Sequence, residues 1–200
     1  MKRIAILVSG RGSNFEAIAR NIAAGRLDAQ IACVISNQPE AKALETATSL
    51  GLNAISLPSK GFDSDVYAEL VCAALAPLNV DLVCLAGFMR RVGKPLLDKY
   101  GMRILNIHPS LLPSFPGLHV QQQALDYGVK FSGCTVHFVD SGLDTGPIVD
   151  QGAVPVLDTD DADTLAARIL VEEHRIYSEA IALVLSGRFD IVGRRVVPQP

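Results

Sequence analysis

The stretch Ile4-Ala5-Ile6-Leu7-Val8, followed by Ser9-Gly10-Arg11-Gly12-Ser13-Asn14 and then by Phe15, Ile18 and Ile22, decides the fold. Its first five residues are continuously apolar and partly β-branched, as a strand buried on both faces requires. Phe15, Ile18 and Ile22 have the spacing of one helical face. The turn between them is glycine-rich. Strand, tight turn and helix in that order open a βαβ unit. In a parallel sheet that turn lies at the carboxyl end of its strand, where open α/β folds bind ligands.

Working outward, the alternation continues. Residues 31–35 are apolar, 41–50 are alanine-rich and helix-like, and 54–57 form a short strand candidate. Residues 63–78 place Val66, Leu70, Ala73 and Ala74 on one helical face, and 80–85 and 104–107 again read as strands. Short apolar strands separated by helices predict a Rossmann-like, mostly parallel sheet with helices on both faces, three layers in all. Beyond Pro109 the pattern changes. Residues 131–139 and 148–156 are strand-like with only the turn-rich 140–147 between them, which predicts an antiparallel C-terminal part. The longest helical pattern, 163–185, ends before Gly187, a fitting C-terminal stop. Residues 189–197 read as one final edge strand. With no linker, repeat or low-complexity segment, residues 1–200 read as a single α/β domain.

Composition narrows the function. A share of 49% hydrophobic and 20% charged residues suits a well-filled core, and no apolar run reaches the ~18 residues that a membrane span needs. The short apolar stretch after Met1-Lys2-Arg3 is broken at Ser9-Gly10, so it reads as a strand rather than a signal sequence, and the cytoplasm is the expected location. A net charge of -3 argues against a nucleic-acid partner. Cys33, Cys72, Cys84 and Cys134 have no Cys-x-x-Cys spacing, and the first three sit in apolar strand-like or helical runs, so all four read as reduced cysteines acting as small apolar residues. Neither they nor His119, His137 and His174 show metal-ligand spacing, and no metal is expected.

Two segments carry chemistry. The first is Gly10-Arg11-Gly12-Ser13-Asn14. Glycines let backbone N–H groups approach an anion, and the helix start adds unpaired donors and partial positive charge. Ser13 or Asn14 is expected to cap the helix or to bind directly. Phe15 stands where a dinucleotide fingerprint has its third glycine, and the Gly-Lys-Ser/Thr ending of a P-loop is absent. A phosphate monoester site and an ordinary capped glycine turn both remain open at this point. The second is Ile104-Leu105-Asn106-Ile107-His108-Pro109. Alternation along a strand projects Asn106 and His108 to one face, and Pro109 ends the pairing. An amide donor and an imidazole so placed can bind the oxyanion of an acyl transfer, although polar strand ends are also common. In Gly142-Leu143-Asp144-Thr145-Gly146-Pro147, Asp144 is either an Asx-turn residue or a carboxylate beside His108 that favours the charged imidazole.

Together with Leu85-Ala86-Gly87-Phe88-Met89-Arg90, Pro113 at the end of the segment begun by Asn106, and Pro116-Gly117-Leu118-His119, these motifs resemble the glycinamide ribonucleotide formyltransferase family, in order and over most of the chain. The resemblance implies the formyltransferase fold and the transfer of a formyl group from 10-formyltetrahydrofolate to the amine of glycinamide ribonucleotide in purine biosynthesis. It implies Asn106, His108 and Asp144 as catalytic residues, and Gly12, Ser13, Asn14 and Glu173 as ribonucleotide-binding residues. Leu85, Phe88, Met89, Arg90, Arg91 and Val92, with Asn106 and Asp144, are implied to hold folate. The N-terminal half would then bind the ribonucleotide phosphate, and the C-terminal half would carry catalysis and folate binding. A monomer or weak homodimer is expected. Gln121, Leu170 and Ser64 depart from common family residues, and these departures bear on fine substrate contacts. The rival readings are a formyltetrahydrofolate hydrolase, a methionyl-tRNA formylating enzyme and a non-catalytic phosphate-binding module.

Overall fold

The computed structural model describes residues 1–199. Among them are nine strands and six α-helices, divided between two compact units, Met1–Asn106 and Ile107–Pro200.

The first unit runs β1 (Lys2–Val8), α1 (Ser13–Ala23), β2 (Ala29–Ser36), α2 (Lys42–Ser49), β3 (Ala54–Ser56), α3 (Ser64–Leu75), β4 (Leu82–Leu85), α4 (Lys94–Tyr100) and into β5 (Ile104–His108). The strands are parallel, in the order β3-β2-β1-β4-β5. Consecutive residues Ile4 to Val8 of β1 all have 0% exposure, so both faces of the strand are covered, as its unbroken apolar run predicts. Each such Ile, Leu or Val stabilises the fold by about 1.5–3 kcal/mol relative to exposure. The strand order reverses direction between β1 and β4. The crevice beyond their carboxyl ends is therefore the switch point where this architecture receives ligands. At α3 the side chain of Asp63 accepts from the N–H groups of Asp65 and Val66, both at 2.9 Å, and so starts the helix.

The second unit holds α5 (Val120–Tyr127), β6 (Phe131–Phe138), β7 (Ile148–Pro155), α6 (Ala162–Ser186), β8 (Phe189–Val192) and β9 (Arg195–Pro198). Strands β6 and β7 are antiparallel, as expected from the absence of a helical pattern between them. Helix α6 packs on both. It starts in a capping box between Asp161 and Thr164 and stops at Gly187, whose φ of 67° is the left-handed conformation expected of that glycine.

Three features differ from expectation. The final edge strand is a hairpin: β8 and β9 pair antiparallel across a turn containing Gly193, φ 64°. The backbone reverses there because glycine tolerates that conformation. Helices α4 and α5 were not expected. Each buries only two residues one turn apart, Leu96 with Tyr100 and Val120 with Ala124, too few repeats for periodicity to register. The four cysteines are all free. Among the described residues, no helix is long and apolar enough to cross a membrane.

Candidate active site

At the carboxyl end of β1, Gly12 is the N-cap of α1, with φ 83° and ψ 28°. Of the two parts expected for Ser13 or Asn14, helix cap or direct binder, this removes the first. Ser13 is its first residue, and no side-chain hydrogen bond caps it. A glycine is required for two reasons: the conformation is left-handed, and a Cβ there would lie 2.6 Å from the Cβ of Ala43 on α2. With no side-chain cap at Gly12, the start of α1 turns its positive dipole end toward any anion bound there. The turn opens onto a cavity of about 220 Å³, walled by Ser9 to Asn14 on one side and by Ala86, Gly87 and Met89 on the other. Both walls follow strands that flank the switch point, β1 and β4.

The segment after β4 is held by its neighbours. Leu85 is buried, Phe88 is half-buried, and Met89 is 68% exposed. Met89 is therefore not a core residue. Arg91 is exposed and Val92 half-buried. The Arg90 guanidinium donates to the carbonyls of Ser59 (3.3 Å) and Phe62 (2.8 Å) and lies 5.0 Å above the Tyr67 ring. Tyr67 stacks on Phe88 at 6.3 Å between centroids and donates its hydroxyl to the Leu57 carbonyl. Burial pushes the Tyr67 phenol up to about 12 against the opposing charge of Arg90, so it stays a donor. Arg90 thus fastens 85–92 to the neighbouring loop with both terminal nitrogens.

Asn106 and His108 stand two residues apart on β5, one half-buried and the other 5% exposed. Around His108 the second unit assembles a cluster. The ring Nε2 lies 3.0 Å from the Phe115 carbonyl, and Nδ1 lies 3.6 Å from Oδ2 of Asp144. The latter is an ion-pair distance, longer than a hydrogen bond. Asp144 also accepts the Gly117 N–H at 3.0 Å through Oδ2, and its Oδ1 faces Nε2 of His137 at 3.7 Å. The carboxylate therefore lies between two imidazoles. The Asx-turn part in this loop belongs to Asp140, whose Oδ1 accepts from the Gly142 N–H and the Thr145 hydroxyl. Asp144 itself has φ 54°.

Thr135 supports the cluster from β6. Its hydroxyl donates to the Ser110 carbonyl (2.7 Å) and accepts from the Leu112 N–H and from Gln151 Nε2. The single Ser110 hydroxyl proton is in turn shared between the carbonyls of Ser114 (2.6 Å) and Phe115 (3.0 Å), the second being the partner of His108. The turn that receives Nε2 of His108 is thereby pinned from below.

His137 was not singled out by sequence. Burial holds its pKa below the ordinary 6.5, with Asp144 pulling the other way, so its neutral form is favoured. Its Nδ1 lies 2.9 Å from the Phe138 carbonyl. A proton there turns the Nε2 lone pair toward Asp144. The signal that picks out Asn106 and His108 was present here too: Thr135 and His137 are two apart and alternate with the apolar Cys134, Val136 and Phe138, so they share a face. Glu173 on α6 is 7% exposed, which excludes a solvated helix face. Its charge adds to burial in raising the Cys134 thiol to about 12.

A strand-end imidazole facing a carboxylate at 3.6 Å, on an α/β scaffold with a glycine-rich first turn, describes a group-transfer enzyme. The formyl transferase family model matches residues 2–181. The chain belongs to that family. It is 40% identical over 186 residues to the phosphoribosylglycinamide formyltransferase of Bacillus subtilis (strain 168), covering 92% of this chain and 95% of that protein. It is 47% identical over 189 residues to the trifunctional purine biosynthetic protein adenosine-3 of Drosophila melanogaster, where 93% of this chain spans 14% of that protein. The crystal structure of glycinamide ribonucleotide transformylase 1 from Symbiobacterium toebii superposes with a TM-score of 0.97 at 49% identity, covering 100% of this chain and 95% of the other. The expected fold, α/β with a mostly parallel sheet and an antiparallel C-terminal part, is the one shared with the Symbiobacterium toebii structure.

Proposed function

We propose that the protein transfers the formyl group of 10-formyltetrahydrofolate to the amine of glycinamide ribonucleotide, and that its two compact units act as one formyltransferase domain. The observation that carries the catalytic assignment is the His108–Asp144 ion pair at the carboxyl end of β5. Nε2 of His108 lies against a carbonyl and Nδ1 faces a carboxylate, both pure acceptors, so the ring is placed as a hydrogen-bond donor. Because Nδ1 is 3.6 Å from Asp144, its N–H keeps capacity for a further acceptor.

The amine nitrogen attacks the formyl carbon, the C–N bond forms, and the carbonyl electron pair moves onto oxygen. Asn106 and the His108 imidazolium donate to that oxyanion. Asp144 keeps His108 charged and passes the amine proton to the departing folate nitrogen as the carbon–nitrogen bond to folate breaks. An oxyanion donor of this kind contributes roughly a hundred- to thousandfold in turnover. Gly12, Ser13 and Asn14 receive the ribonucleotide phosphate at the uncapped start of α1, and Glu173 serves the acceptor. Leu85, Phe88, Met89, Arg90, Arg91 and Val92, with Asn106 and Asp144, hold folate. Of these, the Arg90 side chain acts by bracing the segment. Composition supports a cytoplasmic location, with the chain a monomer or weak homodimer.

The test follows loss of 10-formyltetrahydrofolate by absorbance, with and without glycinamide ribonucleotide. Turnover that requires the ribonucleotide is expected. Equal turnover without it makes the protein a hydrolase, and no turnover in either case removes the proposed reaction.

A further inference from the structure

Ser9 is the last residue before the glycine turn, and it touches both walls of the switch-point cavity. Its N–H donates to the Gly87 carbonyl at 3.1 Å. Its hydroxyl accepts the Met89 N–H at 2.8 Å and donates its single proton to Oδ1 of Asn37 at 2.5 Å. Asn37 at the end of β2 is 3% exposed and passes the chain on, donating from Nδ2 to the Ser59 hydroxyl at 3.1 Å. Ser59, 4% exposed, gives its carbonyl to Arg90. The segment 87–90 is therefore fastened at both ends of one polar chain: at Met89 through Ser9, and at Arg90 through Ser59. Met89 can only donate to the Ser9 hydroxyl, which leaves the single Ser9 proton free for Oδ1 of Asn37. Two members are buried, so removing a link leaves a donor or acceptor that water does not readily repair.

We propose that Ser9 is a positioning residue shared by the two substrates, whose hydroxyl couples ribonucleotide binding at Gly12, Ser13 and Asn14 to folate binding at 85–92. The inference rests on the binding assignments proposed above. Gly87 has φ 74°, a glycine swivel two residues before Met89, the first of the two residues that the chain holds. Anchoring phosphate on the turn steadies the end of β1 and hence the acceptor of the Met89 N–H. Folate then meets a segment already ordered, and by thermodynamic reciprocity folate tightens the ribonucleotide by the same factor.

Glycinamide ribonucleotide and tetrahydrofolate are the probes, because together they carry no formyl group to transfer and the ternary complex persists. Calorimetry gives the Kd of the ribonucleotide with and without saturating tetrahydrofolate. The expected ratio in the unaltered protein is about fivefold or more, within the usual span of couplings. In Ser9→Ala the ratio falls to near one, whereas Ser13→Ala weakens the ribonucleotide and keeps the ratio. Ser9→Thr, which retains the hydroxyl, keeps it as well. If Ser9→Ala does not fold, Ser9→Cys fills the same place with a weaker hydrogen-bonding group, and the ratio is expected to drop. A full ratio in Ser9→Ala or Ser9→Cys overturns the proposal. So does independent binding of both ligands to the unaltered protein. Failure of the unaltered protein to bind the ribonucleotide overturns the functional reading beneath it instead.

Discussion

At the scale of single residues, the site turns on one carboxylate shared by two rings. Asp144→Asn removes charge and leaves shape. The amide oxygen still accepts the Gly117 N–H, and asparagine tolerates the φ of 54° better than most residues. Turnover is expected to fall by about a hundredfold or more, in the range of lost acid–base assistance, with the ribonucleotide Kd within a few fold of normal. Steady-state kinetics beside calorimetry decide this, and near-normal turnover rejects the part given to Asp144. His137 makes a separate, pH-dependent contribution. Its folded pKa lies below 6.5 because burial disfavours the imidazolium, so the unfolded chain binds the proton more readily. That contribution is complete above pH 6.5 and is lost as pH falls through the folded value. His137→Gln removes the titration. Its Tm is expected to fall less than that of the unaltered protein between pH 7 and pH 5, and parallel curves refute the assignment. Asn106 and His108 were legible as a polar pair in an apolar strand. Asp144 was ambiguous until the loop showed Asp140 taking the turn-stabilising part. A turn residue and an active-site residue look alike in sequence, since only the folded loop decides which carboxylate points inward.

At the scale of elements, the strands were legible wherever both faces are covered, because an unbroken apolar run then has one reading. The hairpin of β8 and β9 was not. Its strands are mostly exposed, so burial imposes no pattern, and the break rests on Gly193 alone. The uncapped start of α1 was also hidden. Ser13 and Asn14 are both good caps by type, yet Gly12 takes the cap position because α2 approaches too closely for a Cβ. This close approach separates two neighbouring glycines. Gly12→Ala forces a left-handed alanine against Ala43 and is expected to destabilise the protein by roughly 1–3 kcal/mol, with loss of ribonucleotide binding. A Cβ at Gly10 meets nothing within 4 Å, and Gly10 has no positive φ, so Gly10→Ala should unfold in urea within experimental error of the unaltered protein. Equal midpoints for the two variants contradict the packing account of the turn.

At the scale of the whole chain, sequence predicted one domain of 200 residues, whereas the contacts divide it into Met1–Asn106 and Ile107–Pro200. The boundary falls inside β5, between Asn106 and Ile107, so no linker composition marks it. The single-domain proposal requires the two units to unfold together. Ligand linkage tests this. At a ribonucleotide concentration of 100 Kd, binding stabilises the folded state by about 2.7 kcal/mol. For a chain of this length that corresponds to a Tm rise of roughly 5–11 °C. The proposed phosphate site lies wholly in the first unit. One cooperative transition that moves as a whole is therefore expected in calorimetry. Two transitions, with only one moved by the ribonucleotide, would mean that the units unfold separately and that the single-domain proposal fails. An unmoved single transition would leave cooperativity intact and count against the phosphate site at Gly12, Ser13 and Asn14. Ribose 5-phosphate is the control that separates phosphate capture from recognition of the glycinamide. A shift that is smaller but present is expected, because it offers the first-turn N–H groups of α1 the same anion without the acceptor amine.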